Sequence, residues 1–259
     1  MCRVSAQGGP VIYPGERMDD LFRNRLRIIQ SDELPKFGLE GVLLANFPML
    51  KKGMRICDFC CGSGIVPLLL TSRAKEIKIT GIEIQPELSN LARRNVILNN
   101  LGEQIDIITS DICTNGIEPH IFDLITVNPP FFSVRGGTVA PHKARATARS
   151  QTGLTIADVV KSAAQLLREK GRLALIYRAS GLKEVLKCID DNSLGAVRIR
   201  FVHHDVQHKA STFLLECQYG RNVDGVVEPP LIVYEANGDY TREMNNVYFA
   251  GQGLESGMS

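Results

Sequence analysis

Short apolar runs alternate with stretches whose apolar positions recur at helical spacing over most of the chain. Arg55–Phe59, Ile77–Ile82, Ile105–Thr109, Phe122–Val127 and Arg172–Tyr177 read as strands, and Ile65–Ser72, Pro86–Asn99, Ile156–Leu167 and Leu182–Asp190 as helices. Pro86 suits a first helical position, where its missing N–H costs nothing, and Asn99, Asn100 and Gly102 stop that helix. Strands covered on both faces should be nearly continuous apolar runs, as Leu124–Val127 and Leu173–Ile176 are. Val197–Val202 and Thr212–Tyr219 are strand-like with no helix between them, which predicts an antiparallel pair at the C-terminal edge. The pattern therefore predicts an α/β fold: a mostly parallel, seven-stranded sheet with helices on both faces.

Upstream, Leu26–Gln30 alternates partly and reads as a short strand, and Val42, Leu43, Leu44 and Phe47 are spaced for one helix face. Leu231–Tyr234, after two prolines, reads as a last short strand. Residues 1–15 are expected to be an N-terminal extension, 16–247 a single domain and 248–259 a flexible tail.

Composition changes this picture little. The 259 residues carry a net charge of +2, too mild to announce nucleic acid by itself. Its distribution is more informative. Residues 124–157 contain no acid but include Arg135, Lys143, Arg145 and Arg149, a basic loop suited to phosphates. Nothing resembles a membrane span or a signal peptide, so a cytoplasmic protein is expected. Seven cysteines are scattered without a disulfide or zinc spacing, and no metal centre is expected. Cys57, Cys60 and Cys61 read as small side chains filling a tight turn.

In an open α/β sheet, ligands bind beyond the carboxyl ends of the strands. Four successive strands end at Asp58, Glu83, Asp111 and Asn128. The first runs into Asp58-Phe59-Cys60-Cys61-Gly62-Ser63-Gly64, where glycines let a ligand approach the backbone closely. Glu83 is placed to accept from a ribose diol, which NAD also carries. However, a turn that opens with an acid repels a pyrophosphate and attracts an ammonium, as in S-adenosylmethionine. Asp111 can accept from an adenine amino group. Ile84 and Ile112, each next to its acid, and Gly38, ahead of the first helix, complete the expected cofactor set with Gly62, Gly64 and Asn128.

Asn128-Pro129-Pro130-Phe131 carries the expected chemistry. An adenine amino group is a poor nucleophile because its lone pair is delocalised into the ring. Accepting both its protons, through the Asn128 side chain and the Pro129 carbonyl, frees that lone pair. The prolines hold the acceptors rigidly, and Phe131 can stack on the base.

At these residues the chain resembles class I S-adenosylmethionine-dependent methyltransferases with an (N/D)-P-P-(Y/F) motif. Over Glu16–Leu21, Gln30-Ser31, Phe37–Phe47, Asp58–Leu70, Asn128–Phe131, Ala148-Arg149 and Pro229–Tyr234 it resembles the bacterial valine-tRNA adenine-37 N6-methyltransferases. The resemblance implies a Rossmann-like methyltransferase core, S-adenosylmethionine as cofactor, and tRNA, through its anticodon stem-loop, as partner. It also implies that the basic loop contacts tRNA; Arg198, Arg200 and Lys209, near the edge strands, read equally as further phosphate contacts or as charges that keep a solvated strand edge from pairing. Two positions depart from the pattern: Cys60 stands where many methyltransferases have glycine, and Ser150-Gln151 where relatives have His-Glu. Asn128 alone does not separate tRNA adenine from ribosomal RNA guanine N2, DNA adenine or a protein glutamine, nor does the sequence exclude an RNA-binding module with a vestigial pocket.

Overall fold

The computed structural model describes residues 10–21, 25–130, 153–220 and 224–249. The elements are β1 (Glu16–Asp20), β2 (Arg27–Ser31), α1 (Leu39–Asn46), β3 (Arg55–Phe59), α2 (Ile65–Thr71), β4 (Lys78–Glu83), α3 (Pro86–Leu98), β5 (Ile105–Thr109) and β6 (Phe122–Val127). Then follow α4 (Ile156–Leu166), β7 (Leu167–Arg178), α5 (Leu182–Asp191), β8 (Leu194–His203), β9 (Ala210–Tyr219), β10 (Val226–Val227), β11 (Leu231–Ile232) and α6 (Arg242–Phe249).

Among the described residues the main sheet has the order β10-β8-β9-β7-β6-β3-β4-β5, with β11 also beside β8. The ladder from β7 to β5 is parallel, and β9 runs antiparallel between β7 and β8. The core divides by strand alternation. Ile56, Leu124, Ala174 and Ile176 face α1, α2 and α3, whereas Cys57, Phe59, Ile125, Val127, Leu173 and Leu175 face α4 and α5. Because β4 and β6 leave β3 in opposite directions, a crevice opens at the carboxyl ends of β3 and β6.

The α/β core and its antiparallel edge match the expectation, but nine strands replace seven. The added β10 and β11 are two residues each and pair parallel with β8. Runs that short carry no periodicity to read. Leu167, expected to end a helix, instead begins β7. Its helix-like apolar spacing hides a bulge at Lys170, whose φ is +62°, and Gly171. A Cβ on Gly171 would meet backbone oxygens of Arg168 and Phe122 at 2.8 and 2.9 Å, so only glycine fits. At the end, Tyr248 and Phe249 belong to α6, which buries Met244 in the core, rather than to a flexible tail.

The N-terminal segment is tied to α3. Arg94 donates through Nη1 to Glu16 Oε2 at 2.7 Å and to the Val11 carbonyl at 2.8 Å, and its guanidinium lies 4.7 Å from the centre of the Tyr13 ring. Within the expected extension, Val11 and Tyr13 thus touch α3 through Arg94. The next residue, Asn95, accepts from Ile29 N–H at 2.6 Å and donates to the carbonyls of Ile29 and Ser63 at 3.1 and 2.9 Å. Asn99 grips Arg27 N–H and carbonyl in the same way, at 2.8 and 2.7 Å. Two side-chain amides therefore stand in for a neighbouring strand along β2.

The Arg94 and Glu16 side chains are 4% and 7% exposed, so the pair is desolvated. Burial raises the Glu16 pKa, but hydrogen bonds from Arg94 and Tyr13 N–H and the Arg94 charge outweigh it and leave the pKa lowered. Glu16→Ala strands the Arg94 charge and should cost about 3 kcal/mol in urea unfolding at pH 7. Because the carboxyl pKa is depressed, the contribution is present above about pH 4.5 and fades as pH falls through the folded value. An unfolding midpoint equal to that of the wild type would remove the clamp from the account.

Candidate active site

A cavity of about 460 Å³ opens at the carboxyl ends of the parallel strands, within the size range of a small-molecule site. Gly38, Gly62, Glu83, Ile84, Asp111, Ile112 and Asn128 line it, with Pro129 and Pro130 beyond Asn128. A smaller space of about 140 Å³ continues from it towards Asp58 and Ser63. Seven of the eight other expected cofactor residues therefore converge with Asn128. Gly64 lines neither space; it caps α2 at φ +87°, and a Cβ there would touch Ala92 of α3 at 3.4 Å. Its role is close packing of turn and helix.

The turn after β3 is left-handed at Cys60, Gly62 and Gly64, with φ of +56°, +55° and +87°. Open space surrounds a Cβ built on Gly62, a gap that faces the cavity. Cys60 adopts a conformation glycine would take without strain. Its neighbour Cys61 places Sγ over Gly81, where a Cβ would come within 3.0 Å, so this thiol fills the tight strand-to-turn contact. Burial pushes the Cys57, Cys60 and Cys61 thiols well up, which disfavours thiolate chemistry.

Two acids sit at the base of the cavity. Glu83 accepts from Gly62 N–H through Oε2 and from Gln85 N–H through Oε1, each at 3.0 Å, which fixes the carboxylate in one orientation. Burial raises its pKa, against the pull of these backbone bonds. Asp58 is 1% exposed and accepts from Thr126 Oγ1 at 2.5 Å. Burial, opposed by that bond and helped by the nearby Glu83 charge, pushes its pKa up to about 8. Asp111 Oδ1 accepts from Cys113 N–H at 2.8 Å, and the residue lines the cavity with Ser110. Ile84 is 40% exposed, a large apolar side chain laid open at the mouth beside Leu88 and Ile112.

Other expected residues fare differently. Phe131, Arg135, Lys143, Arg145 and Arg149 lie outside the described residues. Lys209 is exposed at the β8–β9 hairpin, on the same edge of the sheet as Asn128. Arg198 and Arg200 do not serve as open phosphate contacts. Arg198 pairs with the fully buried Glu216 at 2.7 Å and Glu228 at 2.8 Å, and its guanidinium lies 4.0 Å from the centre of the Phe47 ring. Arg200 pairs with Glu243 of α6 at 2.7 Å and donates to the Pro229 carbonyl at 2.9 Å. Both arginines hold the sheet edge to its surroundings. Sequence reasoning also passed over Lys36 and Glu40, which line the cavity wall, and the grouping of His204, Asp205 and His208 at the hairpin. Among the described residues no helix is long and apolar enough to cross a membrane.

Comparison with known proteins agrees with this geometry. The family profile of the methyltransferase small domain matches residues 40–193. A tRNA1(Val) (adenine(37)-N6)-methyltransferase of Porphyromonas gingivalis is 30% identical over 238 residues, covering 86% of this chain and 91% of the relative. One of the same name from Aeromonas hydrophila is 29% identical over 207 residues, covering 80% and 85%. Among solved structures, a predicted O-methyltransferase of Agrobacterium tumefaciens superposes with a TM-score of 0.67 at 20% identity, over 82% of this chain and 96% of that one. An S-adenosylmethionine-dependent O-methyltransferase of Thermotoga maritima gives 0.52 at 18%, over 74% and 68%. These two likenesses establish the fold, that of class I S-adenosylmethionine-dependent methyltransferases. With a matched profile over more than half its length and relatives over most of it, the chain belongs to the methyltransferase small domain family and, within it, to the tRNA1(Val) (adenine(37)-N6)-methyltransferases.

Proposed function

We propose that the protein transfers a methyl group from S-adenosylmethionine to the N6 amino group of adenine-37 in a valine tRNA. One observation carries this reading: Asn128-Pro129-Pro130 shares a single cavity with Glu83 and Asp111. Bound there, S-adenosylmethionine supplies a methyl group on a positively charged sulfur. The residues present fit it. Gly62 leaves room for close approach, and the fixed Glu83 carboxylate faces where a ribose diol would lie. Asp111, with Ile84 and Ile112 as apolar faces, suits an adenine ring and its amino group. Asp58 lies beneath the narrower space, where an ammonium would offset its burial.

On the substrate side, Asn128 Oδ1 and the Pro129 carbonyl accept the two protons of the target amino group. The nitrogen lone pair is thereby released from the ring and aimed at the methyl carbon, so positioning supplies much of the rate. A base in an anticodon loop leaves its stack at small cost, and Phe131 stacks on it once it is extruded. Arg135, Lys143, Arg145, Arg149 and the exposed Lys209 contact phosphates of the anticodon stem-loop and set its register.

Methyl transfer from labelled S-adenosylmethionine to tRNA lacking its modifications should yield N6-methyladenosine on nucleoside analysis, confined to valine tRNA. Label in guanine, or in protein alone, would overturn the substrate assignment. Asn128→Ala should lower kcat by about 10²-fold or more while the cofactor Kd stays within a few-fold of wild type; retained turnover would remove Asn128 from the chemistry. Asp58 also predicts a pH dependence. Its folded pKa, near 8, lies above the ordinary 3.8, so this group's contribution to stability without cofactor declines as pH rises from about 4 to 8. A cation binding beside it displaces the proton below pH 8 but not above. Cofactor affinity should therefore rise with pH towards 8 and then level off in isothermal titration, and Asp58→Asn should flatten the profile. An equally steep profile in that variant would assign the effect elsewhere.

A further inference from the structure

The hairpin joining β8 to β9 holds a group of donors that the methyl transfer leaves unused. His203 pairs with Ala210 at the end of the ladder, so residues 204–209 form the tip. Asp205 organises it. Its Oδ1 accepts from the backbone N–H of Gln207 at 2.8 Å and of His208 at 3.0 Å, which folds the chain back and brings His208 beside it. His208 Nδ1 lies 2.7 Å from the carboxylate of Asp205, and His204 Nδ1 lies 3.1 Å from its Oδ2. The two imidazole rings are 5.4 Å apart, centre to centre. His203 Nδ1 donates to the His208 carbonyl at 2.8 Å, and the Tyr234 ring backs His204 at 4.7 Å, so both flanks of the tip are braced.

We propose that this tip binds one first-row transition ion, zinc among them, through an imidazole nitrogen of His204, an imidazole nitrogen of His208 and a carboxylate oxygen of Asp205. One ligand atom from each residue already lies within 4.8 Å of the others. Tetrahedral coordination with bonds of about 2.0–2.1 Å places donors roughly 3.3 Å apart, so the side chains need only small rotations. Each ring keeps one nitrogen for the metal and carries its proton on the other. Two imidazoles favour zinc, nickel, copper or cobalt over magnesium and calcium, which prefer oxygen. The two backbone N–H donors fix the Asp205 carboxylate beside both rings, so the third ligand is held in place. The His204 and His208 side chains are 62% and 66% exposed, so water completes the coordination and the ion enters from solvent.

The test uses the full chain stripped of metal and titrated with Zn²⁺ and with Co²⁺. Wild type should bind one equivalent of each, and cobalt should show visible d–d bands without thiolate charge transfer, because cysteine is not a ligand. His208→Ala, His204→Ala and Asp205→Asn, all at the exposed tip, should each weaken binding at least tenfold, whereas His120→Ala, whose ring stacks on Tyr219, should not. Unchanged affinity in the His204→Ala/His208→Ala double variant, a thiolate band, or wild-type binding only at millimolar metal would each overturn the site. Because the readout is metal binding, failure of this proposal and failure of the methyltransferase reading are separable.

Discussion

Two carboxylates, Asp58 and Glu83, are buried at the ends of neighbouring parallel strands, and neither forms an ion pair among the described residues. A buried charge without a partner costs several kcal/mol. The protein meets this cost differently at each acid. Glu83 is given two backbone N–H donors, one of them from the glycine turn that it faces. Asp58 accepts a hydrogen bond from Thr126 of β6, and burial pushes its pKa up to about 8. The glycine turn and the neighbouring threonine supply donors to these two carboxyl groups.

The rest of the fold holds that corner in place. Asn95 reaches from α3 to Ser63 within the turn and to Ile29 in β2. Arg172 and Arg198 converge on the fully buried Glu216, so β7, β8 and β9 share one charge across three strands. Here cations are supplied, and the carboxylate needs no ligand. Glu216 thus has two arginine partners where Asp58 and Glu83 have only hydrogen-bond donors.

Much of this was legible in the residues. Strand ends at Asp58, Glu83, Asp111 and Asn128 follow from apolar periodicity alone, and the topology then brings their side chains to one edge. What was illegible depended on partners distant in sequence. Arg198 and Arg200 looked like phosphate contacts because nothing in their own strand announces Glu216, Glu228 or Glu243. β10 and β11 are too short for a pattern, and the β7 bulge hides beneath apolar positions that suit a helix equally well. Gly64 resembled a ligand-facing glycine, yet its constraint comes from Ala92 on the next helix. The Thr155–Asp158 capping box that starts α4 was open to reading, through an acid three residues after a threonine, and it agrees with the start at Ile156 that apolar spacing gives.

The amide grip of Asn95 and Asn99 on β2 has a kinetic consequence. These bonds join residues 66 and 72 positions apart, and the Arg94 contacts to Glu16 and Val11 span 78 and 83. Closing such loops costs chain entropy before any contact repays it. Residues 27 and 29 therefore gain these side-chain partners only once α3 has formed. The β1–β2 hairpin and the Ser63 carbonyl of the turn after β3 depend on the same helix. Assembly of the catalytic corner is thus paced by the middle of the chain.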